Sequence, residues 1–299
     1  MSPRRHRTSR LAIPLGTVTL LRRALREDRW THDVTTRALL RERLPGRAEV
    51  SAQASGVLSG LDAARALARI GGLRSSTRLV DGSTVHPGTV VLELSGDVRR
   101  ILAVERTLLN LLMHLSGVAT LTAKIVRTAR RSRPGFPIRA TRKTLPGLRD
   151  LEKAAVVHGG GEPHRRDLSD AVLIKSTHLS LVPLDVAIRR ARERLPSPER
   201  IQVEVRTRAE ARSALVAGAR RLLIDNRPPA AVTRIVRDLR RVRGGASVEV
   251  EVSGGIGPET IAAYARTGAD AASLGRLTHS APALPFHLTL VLRRPGARR

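Results

Sequence analysis

Two patterns of hydrophobic and polar positions follow one another along the chain, and the change falls near residue 137. Before it, alternating runs such as residues 46–60 predict strands, and residues 61–72 have the spacing of an amphipathic helix. Residues 98–131 carry apolar positions at helical spacing over a long stretch. Gly117 interrupts that stretch, so we expect two helices there. The first part of the chain therefore predicts a mixed α/β domain.

After residue 137, short β-like runs alternate with amphipathic helical segments. The six runs read IRATRK, AVLIKS, IQVEV, RRLLID, VEVEVSGG and AASLGR. Repeated strand–helix units predict a parallel sheet, and this many in series favour a barrel over an open sheet. Functional residues are then expected at the carboxyl ends of the strands.

Composition limits the classes of function. The chain has 299 residues, a formal net charge of +28 and no cysteine, which excludes disulfides, thiolate metal ligands and a Cys nucleophile. No apolar run approaches the ~20 residues of a membrane span, so we expect no membrane association and a cytoplasmic protein. The N-terminal segment is basic and then partly apolar, but Arg22 and Arg23 interrupt the apolar stretch too early for a signal peptide.

The positive charge could attract nucleic acid, but its distribution favours small anionic substrates. The arginines are spread over the whole chain and form no single stripe. Only Trp30, Tyr264, Phe136 and Phe286 are aromatic, so there is little on which single-stranded bases could stack. We expect nucleic-acid binding to be at most non-specific, and a basic field that concentrates small anions.

Charged residues and glycines end or follow each of the six β-like runs. They are Arg142 and Lys143, Lys175, Glu204, Asp225, then Ser253, Gly254 and Gly255, and finally Gly275. The cations among them, with Arg106, His164 and Arg165, form a set suited to a polyanion. Arg binds carboxylates through a planar fork, whereas Lys approaches an oxygen as a point charge.

Lysine is rare in this chain, which makes each one informative. Only four of the 54 basic side chains are lysines. At strand ends, Lys143 and Lys175 therefore indicate function. Lys153 is equally compatible with a functional position and with the surface of a helix.

Two carboxylates and a glycine-rich turn complete the candidate chemistry. Glu204 and Asp225 end successive runs, so in a barrel they would be neighbours. They could hold Mg²⁺, contact sugar hydroxyls or pair with a cavity lysine. The turn at Ser253 precedes a helix and, with Gly275, could cradle a phosphate. The histidines lack the spacing of a zinc site.

Taken together, these segments resemble the quinolinate phosphoribosyltransferase family, also called carboxylating nicotinate-nucleotide pyrophosphorylases. The segments are EDRWTHDVTT, ERTLLNLLMHLSGVATLTA, TRKTLPGLRDLEKAAVVHGGG, HRRDLSDAVLIK, VEV, LIDN, EVSGGI and LGRLTHSAPAL. The resemblance runs in order from about residue 26 to 285, and TRKTLPGLR together with LTHS is highly specific.

The resemblance implies a fold, a reaction and an assembly. The fold is an N-terminal α/β sandwich domain, residues 1–115, and an open α/β barrel of the type II phosphoribosyltransferase kind, residues 116–280. The tail, residues 281–299, is expected to pack back on the first domain. The family transfers phosphoribose from phosphoribosyl pyrophosphate to quinolinate with Mg²⁺ and releases CO₂, giving nicotinate mononucleotide. A homodimer is implied, with each N-terminal domain covering the partner's barrel mouth.

The same resemblance implies roles for the candidate residues. Arg106 would reach quinolinate across the dimer interface. Arg142, His164 and Arg165 would hold the two carboxylates of quinolinate, and Lys143 and Lys175 would lie at the reaction centre. Glu204 and Asp225 would serve the ribose and Mg²⁺. Ser253, Gly254, Gly255 and Gly275 would bind phosphate.

The chain departs from the family pattern at supporting positions. Pro163 replaces an Asn, Ser176 and Thr177 replace Asp-Asn, and the other changes are Ala140, Ala154, Arg227 and Pro285. Two alternatives therefore stay open. One is a phosphoribosyltransferase homologue that acts on a different aromatic acid. The other is a non-catalytic, basic nucleic-acid-binding protein.

Overall fold

The computed structural model describes residues 15–194 and 201–291. The basic N-terminal segment and residues 292–299 of the tail lie outside the described residues. Contacts divide the chain into two compact units. Among the described residues, the N-terminal unit contains those up to Ser55, Gly60–Met113 and those from Leu284 to Val291. The barrel unit contains Gly56–Ser59 and His114–Ala283.

The N-terminal unit is built on a four-stranded antiparallel sheet. Its helices are α1 (Leu15–Glu27), α2 (Val34–Leu39), α3 (Leu61–Ile70) and the first part of α4 (Val98–Ser132), with a short 3₁₀ turn at Trp30–His32. Its strands before α4 are β1 (Pro45–Ala52), β3 (Arg74–Ser76), β4 (Thr84–Val85) and β5 (Val90–Asp97), whereas β2 (Gly56–Val57) belongs to the barrel unit. A last strand, β12 (Phe286–Val291), pairs antiparallel with β1, and the sheet order is β12-β1-β5-β3.

Period-two burial explains why the first strand forms. Ala48, Val50 and Ala52 of β1 are fully buried, and the residues between them are less so. In α3, Ala64, Leu67 and the residues at helical spacing around them are buried as the helix packs against β3 and β5. These elements match the strand and helix predicted for the first part of the chain.

The barrel unit alternates strands and helices along the chain. After α4 come β6 (Ile138–Arg139), α5 (Arg149–His158), β7 (Val172–Ile174), α6 (Ser176–Leu179), α7 (Leu184–Arg194), β8 (Ile201–Val205) and α8 (Arg208–Val216). There follow β9 (Arg221–Asp225), α9 (Pro229–Arg240), a 3₁₀ turn at Gly245–Ser247, β10 (Glu249–Ser253), α10 (Ile261–Ala265), β11 (Ala271–Ser273) and α11 (Arg276–His279).

All six predicted β-like runs contain strands of one parallel sheet. The sheet order is β6-β11-β10-β9-β8-β7. Within the described residues no hydrogen-bonded pairing joins β6 to β7, so the barrel is open at that side. The predicted fold class, an α/β barrel following a separate N-terminal α/β domain, is confirmed. Because the strands are parallel, their carboxyl ends share one edge.

The expectation of two helices on either side of Gly117 is wrong. A single helix, α4, runs from Val98 to Ser132 through Gly117. A Cβ at Gly117 would overlap the carbonyl oxygen of Pro282 and lie 3.1 Å from Cα of Ala283. The glycine therefore permits close approach of a neighbouring backbone, which sequence spacing does not reveal.

The expectation that no segment is apolar enough to span a membrane is also corrected. An 18-residue window of α4 has a mean hydropathy of 1.3, and by length and composition the helix could cross a bilayer. However, 56% of that window is buried inside the protein. Leu115, Val118 and Ala119 belong to the hydrophobic core of the barrel unit. A buried core helix accounts for this composition.

We expect Gly117→Ala to destabilise the protein by about 1–3 kcal/mol, since the added methyl group overpacks the backbone at Pro282. Helix propensity alone would predict a gain of about 1 kcal/mol. Gly16→Ala in α1 is the matched control, because among the described residues nothing beyond its own chain neighbours and helix backbone lies within 4 Å of its added Cβ. Urea unfolding of both variants measures the difference, and equal stability of the two would contradict the packing argument.

Candidate active site

A pocket of about 140 Å³ lies among the carboxyl ends of the barrel strands. Alternation along the strands builds it: Gln202 and Glu204 of β8 line it, as do Leu223 and Asp225 of β9. From β10, Glu251 and Ser253 line the same space, and β11 adds Ser273. The intervening residues are buried apolar side chains: Val203, Val205, Leu222, Ile224, Val250, Val252 and Ala272.

The pocket collects most of the residues predicted from the sequence. Its lining includes Arg142, Lys143, His164, Arg165, Lys175, Glu204, Asp225 and Ser253. Gly254, Gly255 and Gly275 lie in the turns that follow β10 and β11 and are not among the lining residues. Arg106 lies exposed on α4 in the N-terminal unit. Four Lys and Arg side chains, one histidine and two carboxylates of the predicted set therefore share one small space.

A buried carboxylate beneath these cations organises the pocket. Glu251 is fully buried, and its Oε2 accepts a hydrogen bond from Arg139 Nη1 at 2.8 Å. Arg139 also bonds Glu249 at 2.5 Å and Glu162 at 2.9 Å. His164 Nε2 lies 3.3 Å from the same Glu251 oxygen, at ion-pair distance but without hydrogen-bond geometry. One carboxylate therefore anchors two cationic side chains.

This anchoring decides the protonation of Glu251. Burial by itself would raise its pKa, but His164, Ser273 and Arg139 outweigh burial and lower the pKa from 4.5 to about 2. For Arg139, burial opposes the charge, but the carboxylates of Glu162, Glu251 and Glu249 raise its pKa above the ordinary value. Both groups are charged at neutral pH.

The two arginines of the pocket, Arg142 and Arg165, are close enough for their positive charges to repel each other. Burial, followed by the charge of Arg142, lowers the pKa of Arg165, while Asp170 opposes the shift. Arg165 Nη1 donates to the carbonyl oxygen of Ala171 at 3.0 Å. The buried Nε of Arg142 has no hydrogen-bond partner among the described residues. A buried guanidinium nitrogen without a partner is costly, and an anionic ligand in the pocket would supply one.

Lys153 is not on the helix surface, so that interpretation is wrong. Its side chain is only 5% exposed, and its ammonium group donates to the carbonyl oxygen of Pro163. Burial, and next the charge of Arg149, lower the pKa of Lys153 to about 8. Lys153 does not line the pocket but lies behind it.

Glu204 and Asp225 face one another across Arg206. Arg206 Nη2 lies 3.4 Å from Glu204 Oε1 and 3.3 Å from Asp225 Oδ2. Ser176 Oγ also donates to Glu204 at 3.2 Å. Among the described residues, no cluster of three or more metal-ligating side chains forms. Two carboxylates suit Mg²⁺ only when substrate oxygens and water complete its shell, and this is how proteins commonly bind that ion.

The turn after β10 has the backbone of an anion cradle. Gly254 and Gly255 have φ angles of 90° and 63°, which favour glycine. Asn226 has a φ of 50°, and its N–H donates to the carbonyl oxygen of Ser253 at 2.8 Å. A Cβ at Gly254 would lie 2.9 Å from Asn226 Cα, so the turn after β9 packs directly on the cradle.

The turn after β11 brings two further basic side chains together. A Cβ at Gly275 would lie 2.7 Å from Lys143 Cδ and 3.0 Å from His279 Nε2. Thr278 Oγ1 donates to the carbonyl oxygen of Lys143 at 2.7 Å. Gly275 therefore leaves room for the Lys143 side chain to lie across this turn. Thr278, in the LTHS segment, supports the backbone of Lys143 through its hydrogen bond.

Sequence reasoning missed several residues of the site. They are Arg139, Glu251, Arg206 and His279, whereas Lys153 had been left open between a functional and a surface position. Glu251 carried a signal, because it stands two residues before Ser253 and therefore shares its face of the strand. Lys153 could be placed only when the path of the His164 loop was known.

The fold and the pocket define the class first: an α/β-barrel protein whose cation-lined mouth suits small anionic substrates. Comparison with known proteins is more specific. The model of the quinolinate phosphoribosyl transferase C-terminal domain matches residues 118–289, and that of the N-terminal domain matches residues 33–116. The chain belongs to the quinolinate phosphoribosyl transferase family.

Individual relatives agree over nearly the whole chain. The probable carboxylating nicotinate-nucleotide pyrophosphorylase of Methanothermobacter thermautotrophicus is 38% identical over 92% of this chain and 98% of its own. The Mycobacterium leprae carboxylating enzyme is 37% identical, over 90% and 95%. The structure of the nicotinate-nucleotide pyrophosphorylase from Francisella tularensis superposes with a TM-score of 0.83 at 34% identity, covering 93% of this chain and 98% of that one.

We expect Glu251→Gln to cost on the order of 3 kcal/mol of stability at pH 6, from a pKa lowered from 4.5 to about 2. A lowered carboxylate pKa stabilises the fold above pH 4.5, and this stabilisation is lost as pH falls toward 2. The gap between wild type and variant in urea unfolding should thus narrow from pH 6 to pH 3. Glu259→Gln, at an exposed position, is the control. A stability difference between wild type and Glu251→Gln that did not change with pH would refute the lowered pKa of Glu251.

Proposed function

We propose that this chain transfers phosphoribose from phosphoribosyl pyrophosphate to the ring nitrogen of quinolinate, with loss of CO₂. The products are nicotinate mononucleotide and pyrophosphate, and the reaction serves NAD biosynthesis. The observation that carries the proposal is the pocket itself, in a chain of this family: four Lys and Arg side chains and a histidine line it beside Glu204, Asp225 and the buried Glu251. The chain is a pentosyltransferase of the nicotinate-nucleotide pyrophosphorylase kind.

The pocket suits a dicarboxylate that must meet a pyrophosphate. Two anionic substrates repel each other, so the protein must supply cations around both. Arg142 and Arg165 match planar carboxylates by their forks, and the buried Nε of Arg142, which has no partner among the described residues, would gain one from such a ligand. His164 adds a third donor, held by Glu251. These groups would bind and orient quinolinate.

The reaction itself moves one bond and then loses another. The lone pair of the ring nitrogen forms a bond to C1 of the ribose as the bond from C1 to pyrophosphate oxygen breaks. The pyridinium so formed accepts the electron pair when the carboxylate next to the nitrogen leaves as CO₂, and a proton from water then replaces it. Lys143 and Lys175 lie at the pocket as point charges for the departing pyrophosphate.

Ribose, metal and phosphate are assigned to the opposite side of the pocket. Glu204 and Asp225 would contact ribose hydroxyls and hold Mg²⁺, which when bound neutralises pyrophosphate charge. The backbone of Ser253, Gly254 and Gly255, with Gly275, would bind the terminal phosphate. Arg206 must leave the two carboxylates if a metal is to approach them, and it is 47% exposed, with room to move.

Purified protein incubated with quinolinate, phosphoribosyl pyrophosphate and Mg²⁺ should form nicotinate mononucleotide and CO₂. The departures at Pro163, Ser176 and Thr177 make a parallel test with other aromatic acids informative. If a different pyridine carboxylate reacts and quinolinate does not, the substrate assignment fails while the reaction type stands. If none reacts, the catalytic assignment fails.

We expect Arg142→Lys to lose most of the activity, on the order of a hundredfold in kcat/KM, although its charge is kept. The bidentate fork is lost, and a lysine offers no planar match to a carboxylate. Arg127→Lys, at an exposed position of α4, makes the same chemical change away from the pocket and should keep full activity. An Arg142→Lys variant as active as the control would overturn the carboxylate role.

A homodimer with composite sites is also proposed, because Arg106 belongs to the N-terminal unit and is exposed there. If each pocket takes Arg106 from the partner subunit, mixing inactive Arg106→Ala and Lys143→Ala variants restores activity. After random exchange, half of the dimers are heterodimers, and one of the two sites in each heterodimer is intact. About a quarter of wild-type activity is therefore expected. A tagged-subunit pull-down must first show exchange. Exchange without recovered activity would exclude a shared Arg106.

A further inference from the structure

We propose that Glu152 and Lys153, adjacent residues of α5, position the two loops that carry the acceptor-binding cations. The first loop holds Arg142 and Lys143, and the second holds His164 and Arg165. Neither Glu152 nor Lys153 lines the pocket. They are positioning residues that act through the loops, and the proposal rests on the function proposed above.

Glu152 holds the first loop. Its carboxylate is fully buried, and Oε2 accepts a hydrogen bond from the backbone N–H of Leu145 at 3.1 Å. Oε1 lies 2.7 Å from His114 Nε2 on α4. Both oxygens are therefore engaged, which a buried carboxylate requires. Leu145 is only two residues beyond Lys143, so this bond fixes the end of the loop where it leaves the pocket.

A second contact from α5 supports the same loop. Arg149 Nε donates to Thr144 Oγ1 at 3.1 Å. The helix thus grips two consecutive residues, Thr144 and Leu145, by side-chain contacts. Loops are usually mobile, and two such anchors restrict the backbone that carries Arg142 and Lys143.

Lys153 holds the second loop at the residue before the cations. Its ammonium group donates to the carbonyl oxygen of Pro163. Glu162, the residue before Pro163, is bound to the segment of β6. Its N–H donates to the carbonyl oxygen of Ile138 at 2.8 Å, and its carbonyl oxygen accepts from the N–H of Ala140 at 2.9 Å. His164, directly after, has a φ of 50°. A non-glycine residue in this conformation is strained and persists only where its surroundings hold it.

Asp150 extends the grip on the second loop beyond the cations. It accepts two hydrogen bonds from Arg166, from Nε at 2.8 Å and Nη2 at 2.6 Å. Pro163 and Arg166 therefore bracket His164 and Arg165, and α5 contacts both. The strained His164 is therefore held through Pro163 before it and Arg166 two residues after it, and its ring lies 3.3 Å from Glu251.

A lysine suits this position better than an arginine. The side chain is buried, and its acceptor there is the Pro163 carbonyl, whereas a guanidinium carries five N–H donors that would all need partners. Arg149, Arg165 and Arg142 are close enough to lower the pKa of Lys153, after burial. The ammonium group therefore adds positive charge directly behind the acceptor clamp. Arginine is the common cation of this chain, yet lysine stands here.

The test compares Lys153→Met with Lys124→Met. Methionine keeps an unbranched side chain one atom shorter than lysine and removes the donor and the charge, and Lys124 is exposed on α4. Lys153→Met should raise KM for quinolinate about tenfold or more and leave KM for phosphoribosyl pyrophosphate within about twofold, because only the acceptor loops move. Backbone amide exchange in residues 164–166 should become faster. Lys124→Met should resemble wild type in all three measurements.

A merely structural role would change both KM values together or neither. The proposal would be overturned if Lys153→Met had the same KM for quinolinate and the same backbone amide exchange as wild type. If that variant fails to fold, Glu152→Gln serves, since its amide cannot accept from both Leu145 and His114. It should raise quinolinate KM selectively and speed exchange at Leu145, and unchanged values would overturn the proposal. If wild type does not use quinolinate, the proposed function fails, whereas the exchange measurements still decide the positioning.

Discussion

A pocket lined by several cations can persist only if buried anions hold those cations in place. In this protein Glu251 does so at the centre of the parallel sheet, where it accepts from Arg139 and lies beside His164. Like charges at these distances repel, and without a counter-charge the cations would turn outward into water. The carboxylate is buried and strongly acidic because those partners outweigh the cost of its burial. Glu251 thereby holds His164 in the lining of the pocket and Arg139 outside that lining.

The chain supports its functional loops mainly through backbone atoms. The Pro163 carbonyl accepts from Lys153, and the Leu145 N–H donates to Glu152. A contact through the backbone does not depend on the side chain at that position. This explains how Pro163 can stand where the family pattern has Asn. Ser176 keeps a polar contact by donating to Glu204. Nothing in the structure explains the change to Ala154, which is exposed.

The arrangement of the carboxylates gives the pocket two sides of different character. Glu251 is bound to cations of the protein and has little freedom to bind anything else. Glu204 and Asp225 share only the half-exposed Arg206 and the Ser176 hydroxyl among the described residues. Arg206 is an exposed cation, and a ligand can displace it because exposed ion pairs contribute little free energy in water. The first carboxylate is therefore structural, and the other two are available to a ligand.

The sequence by itself determined the strand–helix alternation and most of the site. Period-two burial and repeated βα units specify parallel strands, and parallel strands bring their carboxyl ends to one edge. Arg142, Lys175, Glu204 and Asp225 could therefore be assigned to that edge from the order of the residues alone. Local pattern carries that information because each strand is decided by its own alternation.

Tertiary structure alone decided the rest. Gly117 stands inside α4 because the backbone of Pro282 packs closely against the helix there, and the burial of Lys153 depends on the path of a loop ten residues away. Contacts between segments distant in sequence leave no periodic signal, so only the folded chain reveals them.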